Sequence, residues 1–321
     1  MDINIKKSIL DYRPTLKENT IKQYEINLNT LKKLFDTDDY EFLNNPKEVM
    51  NKIKHLHYTS QRNMLNGIIM LLNSINHTNK YDKIIKEYQD IRDSFNDKYS
   101  EEQKSGIISD KQSKNFGTME EINGMIKKME DEIRSFKRKR ADEMNSKEKA
   151  LIQVYTLFNI YSRMPFRNDV AGMEAIPKRT YNKLTNEQKE QNNYLVVEKT
   201  KLFFILNKYK TSKKYEELKI PIEDKELKKV LRYYIKLNGY GVLFKTATGN
   251  PLTRNALSQL LIKTTKKYLN KSISTTLLRK IYLSNKYSDT KKDMENDAHN
   301  MGHSVATAQS VYVKTPQPED L

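Results

Sequence analysis

Met301-Gly302-His303-Ser304-Val305-Ala306-Thr307-Ala308-Gln309-Ser310-Val311-Tyr312, near the end of a 321-residue chain, is the stretch around which the rest reads as scaffold. It carries two reactive side chains, His303 and Tyr312. Gly302 suits a helix stop in a left-handed turn and Ser304 suits the N-cap of a following helix, so His303 is expected in the bend between two helices. One unbroken helix would hold His303 and Tyr312 about 13 Å apart at 1.5 Å per residue, too far for both to touch one small group; a broken one removes that objection. Taken singly, a terminal tyrosine and a bend histidine are surface residues. Only the rest of the chain raises them above that.

Composition narrows the partner. Lys and Arg number 58 against 41 Asp and Glu, a net charge of +17, which favours a polyanion, nucleic acid before an anionic membrane. Residues 1–100 contribute only +2 of this, so the basic surface is expected in the second half. No apolar run approaches the length of a membrane span and the N-terminus lacks a signal-peptide core, so the protein is expected inside a cell, in cytoplasm or nucleus. The chain has no cysteine, which excludes disulfides, thiolate catalysis and Cys-based zinc sites. His299 and His303 are four apart, but the glutamate of His-Glu-x-x-His is missing and the Gly302 bend spoils the shared face, so no metal is expected. His55 and His57 read as incidental.

Residues 1–100 read as a helical module. Thr15-Leu16-Lys17-Glu18 suggests a capping box, followed by Ile21, Tyr24, Leu28, Leu31 and Leu34 in steps of three or four. Asn45-Pro46 starts a short helix through Ile53; Thr59-Ser60 opens an apolar one through Leu72; another spans about Tyr81–Tyr99. A polar stretch, 101–117, reads as a linker. Thr118/Glu121 and Asn145/Glu148 are capping boxes opening helices on either side of the basic run Lys137-Arg138-Lys139-Arg140, which reads as phosphate contacts or as a solvated face. Pro165-Phe166-Arg167-Asn168-Asp169 follows the second of these helices. Tyr194–Val197, Leu202–Leu206 and Leu218–Ile222 are β-prone runs predicting a three-stranded antiparallel sheet, with Lys208, Lys210 and Lys213 in the turn between the second and third. Helices through Leu227–Tyr234 and Leu257–Leu261 follow, the latter capped by Thr253. In Ser274-Thr275-Thr276-Leu277-Leu278-Arg279, Thr276 and Arg279 share a helix face, three residues apart.

A Met-Gly-His-Ser box with a tyrosine nine residues later resembles the last motif of the tyrosine recombinases, the phage-integrase family, and of the related type IB topoisomerases. Arg167 resembles the family's first arginine, and Arg279 its second. Lys210, in a Lys-Thr pair, resembles the essential hairpin lysine, with Lys208 and Lys213 as competitors. Thr276 stands where recombinases carry histidine and topoisomerases usually lysine, a departure from the pattern. Five of six expected positions match, in order, over residues 118–314.

The resemblance implies a mainly α fold with a small antiparallel β-sheet: a helical, SAM-like core-binding domain over 1–100, a linker over 101–117 and a catalytic domain over 118–321. It implies metal-independent, cofactor-free cutting and rejoining of double-stranded DNA, by a homo-tetramer on DNA. Tyr312 would form a 3′-phosphotyrosyl bond, Arg167 and Arg279 would clamp the non-bridging oxygens, His303 would add a hydrogen bond, and Lys210 would protonate the leaving 5′ oxygen. Thr276 can hydrogen-bond a phosphate oxygen but cannot carry a cationic proton. Lys208, Lys213 and the run Lys137–Arg140 would add DNA contacts. Alternatives are a type IB topoisomerase, a non-catalytic DNA binder on the same fold, and a basic protein that coats nucleic acid. The Lys-, Asn- and Ile-rich usage suggests an AT-rich source such as a virus or mobile element.

Overall fold

Local caps set most of the helix starts. The computed structural model describes residues 4–302, 304–307 and 309. The chain divides into two compact units, Met1–Ile108 and Ser109–Leu321.

The first unit is helical: α1 (Ile5–Tyr12), α2 (Glu18–Phe35), α3 (Pro46–Ile53), α4 (Tyr58–Ile75) and α5 (Asp82–Lys104). The apolar stripe of α2 buries Ile21, Leu28 and Leu31, and the strongly apolar α4, packed against α1, α2 and α5, supplies Leu65, Ile68 and Leu71 to the same core. Asn45 caps α3, with Pro46 in the first turn. Two local expectations fail. Thr15 does not cap α2, whose N-cap is Lys17 with no side-chain bond. The chain after Pro14 instead closes a turn in which the Leu16 N–H donates to the Arg13 carbonyl, at 3.2 Å. His57 is not incidental, because its Nδ1 accepts the Thr59 N–H at 3.4 Å and caps α4. Helix α5 continues past Tyr99, where the Tyr58 hydroxyl donates to Glu102 and Arg62 stacks over the Tyr99 ring at 4.5 Å.

The second unit holds α6 (Asp110–Ser113), α7 (Met119–Arg134), α8 (Ser146–Tyr161), α9 (Lys178–Tyr181), α10 (Asn186–Glu190), α11 (Ser212–Tyr215), α12 (Lys225–Asn238), α13 (Arg254–Leu269), α14 (Thr275–Asn300) and α15 (Val305–Thr307). Both capping boxes form, at Thr118/Glu121 and Asn145/Glu148, and Thr253 and Ser274 cap α13 and α14. Part of the polar stretch before Thr118 lies against this unit: Asn115 Oδ1 accepts from the Ser272 N–H at 2.7 Å, and Lys280 Nζ donates to Gln112 Oε1 at 2.8 Å.

The fold is α+β. Strands β1 (Glu174–Pro177), β2 (Asn193–Val197), β3 (Leu202–Leu206), β4 (Leu218–Pro221) and β5 (Gly241–Val242) form one sheet in the order β4-β3-β2-β1-β5. The expected antiparallel meander is present as β2-β3-β4. The sheet is nonetheless mixed, since β1 runs parallel to β2 and β5 pairs antiparallel with β1. One face, with Ala175, Leu195 and Phe204, meets the core of α7, α8, α12, α13 and the first turns of α14; Phe166 sets its ring edge-on to Phe204 at 5.2 Å. That core fixes where the ends of α8, β2, β3, α13 and α14 come together.

Candidate phosphate-binding site

Helix α8 ends at Tyr161, a fully buried residue whose hydroxyl donates to the Arg167 carbonyl at 2.9 Å. This bond folds the exit of α8 back on itself and starts the 3-10 turn Asn168–Val170. Val170 anchors the turn in the core, and Asn168 Nδ2 donates to the Arg254 carbonyl at 3.0 Å. Arg167 itself is exposed.

At the centre of the turn lies Asp169, only 6% exposed. Its Oδ1 receives Arg254 Nη2 at 2.9 Å, and its carboxyl also feels the charges of Arg167 and Arg279. Burial pushes the Asp169 pKa up despite the three guanidinium groups, which act in the opposite direction. The Tyr161 phenol is pushed up as well, first by burial and then by the Asp169 carboxylate, with Arg279 opposing. Arg279, on the second turn of α14, is half-buried, and both burial and the nearby Arg167 lower its affinity for its proton. Its Nη2 donates to Thr276 Oγ1 at 3.3 Å, while its Nε is buried with no hydrogen-bond partner among the described residues.

Arg167, Thr276 and Arg279 therefore gather in one place. Two cations at mutual repulsion beside one shared carboxylate leave positive charge over, and the N-terminal turns of α13 and α14 add to it. Such a place suits a dianionic or monoanionic oxyacid, and the guanidinium fork matches phosphate geometry.

Lys208 and Lys210 are exposed on the segment between β3 and β4. The Lys208 carbonyl accepts from Asn193 Nδ2 at 3.1 Å and from Arg254 Nη2 at 3.4 Å, so the stem of this hairpin adjoins the Asp169 turn. Lys213 belongs to α11, and its side chain lies outside the described residues. In the basic run, Lys137 sits over the Tyr233 ring at 5.8 Å, Lys139 pairs with Glu148 at 2.7 Å and Arg140 with Asp142 at 3.1 Å; Arg138 is exposed.

His303 and Tyr312 lie outside the described residues. Gly302 between them and α14 has the expected left-handed backbone, φ +68°. Helix α14 runs unbroken from Thr275 to Asn300, so twenty-one residues of helix, about 31 Å at 1.5 Å per residue, separate Arg279 from the start of the box. Side-chain length does not span that gap. Past the bend, Gln309 Nε2 approaches Met294 Sδ at 3.6 Å, which places that residue alongside α14.

Three members of the cluster were not assigned from sequence. Asp169 stands in the quoted Arg167 stretch, two residues from the arginine. Arg254 left one trace: a cation in the first turn of a helix opposes the helix dipole and calls for an anion nearby. Asn193 left none. Among the described residues, no group of three or more His, Asp or Glu side chains is placed to hold a metal ion. No described helix is long and apolar enough to cross a membrane.

No protein-family model and no curated protein matches the chain. Among solved structures, a crystal structure of XerA recombinase is similar over 98% of this chain and 95% of its own, with a TM-score of 0.35 and 11% sequence identity. A likeness that loose decides neither fold nor activity.

Proposed function

We propose that the protein is a tyrosine recombinase that cuts and rejoins double-stranded DNA. Tyr312 attacks a backbone phosphate; its oxygen–phosphorus bond forms as the bond to the 5′ oxygen breaks, leaving a 3′-phosphotyrosyl linkage that conserves the phosphodiester for rejoining. Arg167 and Arg279 hold the non-bridging oxygens, with Thr276 and His303 as further donors, and His303 or a water molecule takes the proton that the Tyr312 phenol gives up. Lys210 gives its proton to the departing 5′ oxygen. The helical first unit closes on the DNA as a core-binding domain, and Lys208, Lys213 and the run Lys137–Arg140 add phosphate contacts. The working assembly on DNA is a tetramer.

The observation that carries this reading is the convergence of Arg167 and Arg279, 112 residues apart in the chain, on one buried carboxylate, with an Arg279 N–H left unpartnered among the described residues. The test is a nicked suicide duplex that prevents rejoining. Wild-type protein should become covalently attached to the 3′ end, and Tyr312→Phe should bind the duplex without attachment. Relaxation of any supercoiled plasmid, without exchange between paired sites, would instead assign a type IB topoisomerase.

The length of α14 favours a second reading, a DNA-binding protein that does not cleave. For Tyr312 to reach the arginine pair of its own chain, either the segment after Gly302 doubles back along α14 or the helix breaks. Absence of any covalent product with wild-type protein on every duplex tried, alongside tight binding, would establish that second reading.

A further inference from the structure

The segment carrying Lys210 joins β3, which ends at Leu206, to β4, which begins at Leu218; eleven residues lie between them with no strand pairing. A loop of that length would leave a lysine free to wander. Here its neighbours are fixed. Tyr209 is buried and its hydroxyl donates to the Glu216 carbonyl at 2.9 Å, closing the loop on itself. On the other side, Asn193, 4% exposed at the start of β2, spends its whole amide on two segments outside its own strand. Its Oδ1 accepts the N–H groups of Asn207 and Lys208 at 2.9 and 2.8 Å; its Nδ2 donates to the carbonyls of Asp169 and Lys208 at 2.8 and 3.1 Å. All four hydrogen-bonding positions of the side chain are filled.

Arg254 makes the same connection by a second route. It reaches the Asp169 carboxylate and the Lys208 carbonyl from α13, while its own carbonyl receives Asn168. Its side chain is 56% exposed, so its charge needs no burial to be satisfied. A buried amide and a partly exposed guanidinium thus tie the same two points, Asp169 and Lys208. One lies two residues after Arg167 and the other two residues before Lys210.

We propose that Asn193 and Arg254 are positioning residues that lock the stem of the β3–β4 hairpin to the Asp169 turn, so that Lys210 is held at a fixed place relative to Arg167 and Arg279. The inference rests on the recombinase reading for its consequence, but not for the lock itself. Neither side chain touches the reacting atoms; each acts through the lysine.

The test uses the full chain with Asn193→Ala and Arg254→Met, and two readouts. The first is backbone amide exchange. In Asn193→Ala the amides of Asn207 and Lys208 should exchange about five- to tenfold faster, the factor expected for one ordinary hydrogen bond, whereas Arg254→Met leaves them protected because Asn193 still accepts both. The second is cleavage of paired suicide duplexes, one with the natural bridging 5′ oxygen and one with sulfur in its place. Sulfur leaves without a proton, so a defect transmitted through Lys210 disappears on that substrate. Both variants should lose at least about tenfold on oxygen, within the roughly 10²–10⁴ that a placed general acid contributes, and recover on sulfur. Unchanged exchange at Asn207 and Lys208 in Asn193→Ala overturns the lock, and equal losses on oxygen and sulfur overturn the positioning role. If wild-type protein cleaves neither duplex, the recombinase reading falls, while the exchange result still decides the lock. Should Asn193→Ala fail to fold, Arg254→Met, altered at a surface position, carries the cleavage comparison alone.

Discussion

Stiffening α14 should slow DNA cleavage without weakening DNA binding. From 282 to 297 no residue of this helix is buried, and its buried positions are Thr275, Leu277, Leu278, Ile281 and Ala298. Ten of those sixteen residues are Tyr, Ser, Asn, Asp or Thr, each costing roughly 0.5–0.7 kcal/mol against alanine, about 6 kcal/mol together. A helix of that length and composition with so little packing is marginal. The weakest run is Ser288-Asp289-Thr290. Replacing all three by alanine stabilises the unbroken helix by roughly 2 kcal/mol. If the box must swing back to its own chain's arginines, that gain opposes the break, and covalent attachment should slow by about 30-fold. The chain has no cysteine, so Asn285→Cys with Asn300→Cys gives one clean pair of nitroxide sites. In the free protein the fifteen intervening steps should place them about 22 Å apart along the axis. On a suicide duplex the distance should shorten in the wild-type background and stay near 22 Å in the triple-alanine background. Attachment at the wild-type rate in the triple variant, with the long distance retained, would refute the break and leave the box either doubling back along α14 or serving another copy's arginine pair.

Other expectations follow from the same site. Arg279→Lys keeps the charge but loses the fork, and should lower cleavage by at least about 100-fold while duplex affinity changes less than tenfold, measured by single-turnover kinetics and titration. Arg167→Gln should reduce the slope of log affinity against log salt by about 0.9, the value for one phosphate contact. Asp169 and Glu121 should show opposite pH dependence. The folded pKa of Asp169 is raised by burial, so its ionised form opposes folding above that pKa, and the penalty disappears as the pH falls; the melting temperature of wild type should gain on that of Asp169→Asn with acidification. Glu121 is lowered, chiefly by its bond to Lys271, so its stabilisation is present at neutral pH and lost as the pH falls through its depressed pKa; wild type should lose its advantage over Glu121→Gln on acidification.

What the sequence disclosed about the fold was largely local. Thr118, Asn145, Thr253 and Ser274 cap helices because a short polar side chain beside an apolar run is a signal complete within four residues. The meander was legible because β2, β3 and β4 are apolar runs separated by turns. Strand β1 was not: four residues ending in Pro177 have no period to detect, and the strand exists because β2 offers it a parallel edge. Arg167 and Arg279 were legible as a pattern, and the turn that unites them was not, because its bonds span 85 residues from Asp169 to Arg254 and 24 from Asp169 to Asn193. His57 caps α4 through a ring nitrogen, a role outside the usual capping set. The expectation for His303 and Tyr312 falls on residues outside those described.

Asp169 also explains why the arginine pair is tolerable in the folded chain. Burial first, and then the guanidinium of Arg167, lower the affinity of Arg279 for its proton, so the two cations repel, and Arg279 is half withdrawn from water. Were the carboxylate there only to neutralise them, a well-buried ion pair would satisfy all its partners and leave nothing for a ligand. Instead its direct bond goes to Arg254, the third arginine, whose side chain is 56% exposed, and Arg279 Nε remains unpartnered among the described residues. Arg167 and Arg279 thus feel the negative charge without being consumed by it. On the recombinase reading, a phosphate arriving there would find the Arg279 Nε–H already withdrawn from water and unpartnered among the described residues, so binding need not first break an ion pair at that atom. This division of labour sets the order of severity for substitutions at the trio. On the proposed reading, loss of Arg279 or Arg167 should remove a phosphate contact, loss of Arg254 should loosen the hairpin, and Asp169→Asn should weaken both at once while keeping the shape of the turn.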